Sequence, residues 1–250
     1  MTKMFKSVTQ TWNPLTGCLH DCSYCWARGN ANGRLKNRYL ENHDICDPAA
    51  LPYRMQFGDV SPDGYDTYAD PFYPRRWSGR MKQHFKAGGL VFVCSMSDLM
   101  GMWWPQAWVM EALDNIKRNS QTDFLICTKN PERFGEFVFP SNVILASTLE
   151  TNRETWDYSW APEPALRQRF LAAANHPRKA ISIEPVMDFD LPVMTEWVKE
   201  IKPELVEVGA DNYSYHLPEP AKSKTTALLE VLRAIVPRVV EKDGLERLLK

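Results

Sequence analysis

The chain has no long hydrophobic run. Nowhere in its 250 residues does a stretch approach the roughly 20 apolar residues of a membrane-spanning helix, so no membrane association is expected. Met1 to Gln10 has no apolar core of the secretory type, and a cytoplasmic protein is expected. Net charge is nearly absent too: at −1 there is no global field to draw in a polyanion, and any nucleic-acid surface must be a local patch. Internal repeats and low-complexity tracts are missing. Cysteines are few, and three of the six fall between positions 18 and 25. That crowding suits a metal better than a disulfide framework.

What remains is the composition of a globular protein, 44% apolar and 24% charged, long enough to bury a core without disulfides or metal as a staple. Trp103, Trp104 and Trp108 sit together, which marks core or a binding cleft. Short apolar runs recur at Leu90–Cys94, Phe124–Cys127, Val143–Ser147, Ala180–Glu184 and Leu205–Gly209. Near-continuous apolar character predicts strands covered on both faces, as in a parallel sheet. Weaker candidates lie at Ser7–Trp12 and Arg238–Glu241. Helical stripes separate the runs: Trp108, Ala112, Leu113 and Ile116 after Pro105; Leu166, Phe170 and Ala174 before Pro177; Val193, Trp197, Val198 and Ile201 before Pro203; Leu228, Leu232 and Ile235 before Pro237. Strands alternating with helices predict βαβ units. The expected fold is α/β, a partial, open β/α barrel of about six parallel strands, with an open doubly wound sheet as the competing topology. Residues 38–89 show no period and are rich in Pro, Gly, Asp and Tyr. They are expected to form an irregular insertion with short elements, partly covering the site of a single domain over residues 1–250.

The chemistry concentrates in Gly17-Cys18-Leu19-His20-Asp21-Cys22-Ser23-Tyr24-Cys25-Trp26. Three thiolates on one loop can satisfy three irons of a 4Fe–4S cluster and leave the fourth open. A structural zinc site is the alternative, completed by His43 or Cys46 at a His-x-x-Cys spacing, although a second Cys-x-x-Cys knuckle is absent.

Cys-x-x-x-Cys-x-aromatic-Cys ahead of an α/β pattern resembles the radical S-adenosylmethionine superfamily. Further words recur in order: Thr11-Trp12-Asn13-Pro14-Leu15-Thr16-Gly17-Cys18, Ser95-Met96-Ser97-Asp98-Leu99, Thr128-Lys129-Asn130-Pro131-Glu132-Arg133, Asn142-Val143 and Ser182-Ile183-Glu184-Pro185. Together they resemble a phage-associated branch of that superfamily, itself similar to spore photoproduct lyase, a DNA-repair enzyme. The resemblance spans roughly residues 8 to 210. It implies a radical enzyme whose cluster, held by Cys18, Cys22 and Cys25, cleaves S-adenosylmethionine to a 5′-deoxyadenosyl radical that abstracts hydrogen from a substrate. It also implies an electron donor such as flavodoxin or ferredoxin. Residue by residue, it implies Tyr24 against the adenine, Ser97 and Asp98 near the methionine amino group, Lys129 on the methionine carboxylate, Ser147 at the ribose, and Glu184 assisting or facing substrate. Cys94 stands close to where spore photoproduct lyase keeps a hydrogen-donating cysteine but one residue off, which would turn its side chain to the other face of the strand.

Two basic clusters bear on the substrate. Arg28, Arg34, Lys36 and Arg38 occupy residues 26–40, and Arg75, Arg76, Arg80, Lys82 and Lys86 occupy residues 71–97 among Phe72, Tyr73, Trp77 and Phe85, with no acid in either stretch. Basic groups with interleaved aromatics hold phosphates and stack bases, and the bland counterpart is a solvated surface. Three functions follow: a radical enzyme acting on a nucleic acid or nucleotide, one acting on a protein, peptide or small metabolite, and a non-enzymatic zinc or iron–sulfur module.

Overall fold

The apolar runs all become strands. The computed structural model describes residues 6–47 and 66–250, and in it β4 (Leu90–Val93), β5 (Asp123–Thr128), β6 (Val143–Thr148), β7 (Lys179–Ile183) and β8 (Leu205–Val208) lie side by side in chain order. The two weaker candidates complete the edges as β1 (Gln10–Trp12) beside β4 and β9 (Val239–Glu241) beside β8. All seven strands are parallel and curl into an open half-barrel, one strand more than the six expected. The order never reverses, so the doubly wound alternative is excluded: such a sheet needs a point where winding changes direction.

Alternation along each strand separates two faces. Val91, Val93, Phe124, Ile126, Leu145, Ile181, Ile183, Val206 and Val208 join the large core beneath the helices. Phe92, Leu125, Cys127, Ile144, Ala146, Ala180 and Leu205 line the concave face with Val8. The longer helices are α3 (Gln106–Arg118), α4 (Pro164–Ala173), α5 (Leu191–Ile201) and α6 (Lys222–Ile235). They bury Val109, Leu113 and Ile116, Leu171, Met194 and Val198, and Leu228, Leu229 and Leu232 in the first of these cores. Each such side chain contributes about 1.5–3 kcal/mol when fully buried. Among the described residues, no helix is long and apolar enough to cross a membrane.

The segment expected to be an irregular insertion is described at 38–47 and 66–89; residues 48–65 lie outside the described part. Short helices α1 (Trp26–Asn32) and α2 (Lys36–Leu40) lead into it. Its strand β3 (Arg75–Arg76) pairs antiparallel with β2 (Leu15–Thr16), immediately before Cys18. The amide of Cys18 donates to Phe72 O at 3.2 Å, and Trp77 Nε1 donates to Thr16 Oγ1 at 2.8 Å. The insertion therefore holds the cysteine loop by its backbone.

Candidate active site

A cavity of about 1190 Å³ opens at the C-terminal ends of the strands. Cys18, Cys22 and Cys25 all line it, each a free, partly buried thiol. The loop that carries them turns at Gly17, whose φ is +88° and whose missing Cβ would stand 2.4 Å from Tyr73 O. Gly17 N donates to Met96 O at 2.9 Å, and Ser97 Oγ donates to Gly17 O at 2.6 Å. Ser97, implied to lie near a methionine amino group, thus lines the cavity with its hydroxyl directed at the cysteine loop. Cys25 caps α1, its sulfur accepting from Arg28 N at 3.4 Å, and the sulfur of Cys22 lies 3.1 Å from Ser159 Oγ. Burial pushes the thiols of Cys18 and Cys25 up, and Cys22 beside them pushes further.

Asp98 is buried after β4. Its carboxylate meets His20 Nε2 at 2.9 Å and accepts from the amides of Lys129 and Met100, each at 2.9 Å. Burial works to raise this carboxyl, but the His20 contact and the surrounding donors outweigh it and hold Asp98 below the usual carboxylate range. His20 in turn rests edge-on against Trp103, ring centroids 5.0 Å apart.

Lys129, after β5, reaches Tyr24 OH at 2.8 Å and pairs with Glu150 Oε1. Tyr24 OH donates to that same oxygen at 2.5 Å, while Arg167 Nη1 from α4 binds Glu150 Oε2 at 2.6 Å. Glu150 and Arg167 are fully buried. Burial pulls the Lys129 ammonium down to about 8. Glu184, after β7, pairs with Lys242 after β9, and Gly209 leaves the space its carboxylate occupies. Burial raises the Glu184 carboxyl against the opposing pull of Lys242.

Eight of the ten residues singled out from the sequence therefore line the cavity without qualification: the three cysteines, Tyr24, Ser97, Asp98, Lys129 and Glu184. Cys94 does so by an irregular route. Its φ of +58° breaks the alternation of β4, so it packs with the core under the helices and still borders the cavity. Ser147 does not line the cavity. It shares the face of Leu145, away from the concave side, and its hydroxyl donates to Thr128 O at 2.7 Å, an arrangement that does not fit a ribose contact. The implied zinc partners also stand apart: the Cys46 thiol is buried and donates to Trp103 O at 3.2 Å, while His43 packs edge-on against Tyr68. Among the described residues, no group of three or more His, Cys, Asp or Glu is gathered to hold a single metal ion. Thiolates that each bind a different iron of a cluster need not converge on one point. Three free thiols of one loop on a shared cavity wall are a donor set that fits such a cluster.

A family model described as a protein of unknown function (DUF5131) matches residues 3–202. The chain belongs to that family. No curated protein matches it. Among solved structures it is similar to spore photoproduct lyase. A tyrosine-to-phenylalanine mutant of that enzyme superposes with a TM-score of 0.57 at 10% identity, covering 96% of this chain and 78% of that one. A cysteine-to-alanine mutant with dinucleoside spore photoproduct gives 0.56 at 9%, and a double mutant with bound AdoMet and the same dinucleoside gives 0.53 at 9%, with the same coverage. At this identity the likeness establishes the half-barrel fold.

Four residues of the site carry no role in the sequence reading: His20, Glu150, Arg167 and Lys242. The first lies within the cysteine word and the second follows β6 by two residues. Arg167 and Lys242 sit far along the chain, and only the fold brings them to Glu150 and Glu184.

Proposed function

We propose that this chain is a radical S-adenosylmethionine enzyme, with Cys18, Cys22 and Cys25 holding a 4Fe–4S cluster. The observation that carries the reading is three free thiols of one short loop at the mouth of a half-barrel, on a cavity that Tyr24, Asp98 and Lys129 share. When bound, cluster and cofactor supply reductive cleavage of a carbon–sulfur bond and, with it, hydrogen-atom abstraction. The protein's part is to bind, orient and seal. Lys129 offers a cation to a carboxylate, and Glu150 with Arg167 fixes where that cation stands. Asp98, held ionised by His20, offers an acceptor to an ammonium group. Tyr24 is a buried ring, pinned by its hydroxyl, against which adenine would lie. Glu184 faces the substrate side with Lys242. Cys94 and Cys127 border the same space as thiols raised by burial, the protonated form that hydrogen donation requires, and Cys94 is the assigned donor. A nucleic acid or nucleotide is the favoured substrate, because part of both basic clusters lines the cavity.

Anaerobic reconstitution with iron and sulfide tests the reading. A brown protein that forms 5′-deoxyadenosine from S-adenosylmethionine and a strong reductant is expected, and Cys18→Ala should abolish both colour and product. A colourless protein that retains zinc would sink the proposal. Lys129→Ala should weaken cofactor binding with the iron content unchanged; equal affinity removes the role given to Lys129. A Cys94→Ala variant that completes turnover removes the donor role.

A further inference from the structure

The insertion side of the cavity carries charge that the proposed cofactor does not use. Arg34, Arg38 and Arg80 line it together with Asn30, Tyr39 and Gln83. They come from the two clusters that the sequence separates, and the fold selects them. Arg28 leaves to pair with Asp21, Arg75 is buried on the carbonyls of Tyr68 and Asp70, and Arg76 binds Asp44 and Glu111. Arg38 and Arg80 lie over one indole, that of Trp77, at 5.6 and 3.9 Å from its centroid. Burial pushes the phenol of Tyr39 up against the opposing pull of Arg80, Arg38 and Arg34.

Like charges held this close need compensation. Among the described residues, neither Arg38 nor Arg80 has a carboxylate partner; Arg80 donates to Asn13 O at 2.9 Å, and the rest of its planar fork is uncommitted. The acids that line the cavity are engaged elsewhere: Asp98 with His20, Glu184 with Lys242, Asp243 with Lys6, and Asp211 with the amide of Tyr213. Burial and the neighbouring Arg38 hold Arg80 below its usual range, a repulsion that a bound anion would relieve.

We infer that Arg38 and Arg80, with Arg34 at their edge, form a phosphate subsite that holds a phosphate of the substrate. Guanidinium forks match phosphate oxygens in pairs, and an indole keeps the forks stacked and dry on one side. S-adenosylmethionine has no phosphate, so the subsite belongs to the substrate. The inference rests on reading this cavity as the active site, and it specifies the substrate as a nucleotide or nucleotide polymer bound through its phosphate.

Binding, not turnover, tests it. The anaerobically reconstituted full chain is titrated with inorganic phosphate, a nucleoside monophosphate and a short single-stranded oligonucleotide, at several salt concentrations. The same titrations follow for Arg38→Gln, for Arg80→Gln, and for Lys82→Gln, an equal charge change outside the cavity. Each arginine replacement is expected to weaken phosphate-ligand binding about tenfold and to reduce the salt slope for the oligonucleotide by about 0.7; Lys82→Gln should leave both unchanged. Binding of the monophosphate alone identifies a free nucleotide as the source, and tighter oligonucleotide binding a polymer; either supports the subsite. Folded protein that binds no phosphate ligand, or equal losses in all three variants, overturns it. So does a loss confined to S-adenosylmethionine affinity in Arg38→Gln, which would give these arginines to the cofactor. Formation of 5′-deoxyadenosine, followed in the same preparations, reports separately on the radical-enzyme reading.

Discussion

Glu150 has both carboxylate oxygens engaged, one by Lys129 and Tyr24 and the other by Arg167, in a region closed to water. Taking its charge away leaves two cations without a counter-charge, which in a buried site costs about 3–5 kcal/mol. Glu150→Gln is therefore expected to lower the unfolding free energy by that order, measured by urea denaturation. Combining it with Arg167→Met should recover part of the loss, a coupling that a double-mutant cycle reads directly. Gly17 makes a second demand at this scale. Any Cβ there meets the Tyr73 carbonyl, and the backbone stands at a φ that disfavours side chains. Gly17→Ala should displace the loop and reduce the iron retained per chain after reconstitution, whereas Gly29→Ala, in open space within α1, should not.

The helices were legible as helices, less so as faces. In α4 the apolar spacing picks Leu166, Phe170 and Ala174, yet the buried face is Arg167, Gln168 and Leu171, and Leu166 is exposed. The stripe misleads because an ion pair, not an apolar contact, sets the rotation: Arg167 must reach Glu150. In α5, similarly, Met194 rather than Val193 is buried. The strand runs are legible because parallel strands covered on both faces need apolar residues throughout. What cannot be read from such a run is parity, and Ser147 falls on the face opposite the site for that reason. The start of α6 supplies the pH prediction. Lys224 donates to Asp188 at 2.5 Å, and Arg153 lies at 2.6 Å, joining the helix to the loop after β7. The Lys224 hydrogen bond holds Asp188 below its ordinary value. Its contribution is thus complete above the unfolded-state value near 3.9 and lost as pH falls through the lower folded value. Asp188→Asn should lower the unfolding free energy at pH 7, measured by urea denaturation, by about 1 kcal/mol or less, and the gap from wild type should close below pH 4.

Across the whole molecule, the site is made of words that stand at strand ends because the strands run in one direction; their gathering was legible once the alternation was. The chain leading into β1 was not. Lys6 N and Ser7 N and Oγ donate to Glu207 on the concave face of β8, and Lys6 pairs with Asp243 beyond β9, tying one edge of the half-barrel to the other. A buried glutamate in an apolar run has no partner in its own neighbourhood of sequence. The centre of the sheet carries the stability: native-state hydrogen exchange should show β5, β6 and β7 opening only with global unfolding, and β1 and β9 exchanging earlier. A sheet ordered like its chain also has a history. Each strand from β5 to β9 finds its partner already made, but β1 waits for β4, and Thr9 meets Leu90 across a separation of 81 residues. Closing that loop carries the largest entropy of any neighbouring pair. The cysteine loop precedes β4 in the chain, so on this order of pairing its thiols are enclosed only once β4 is in place.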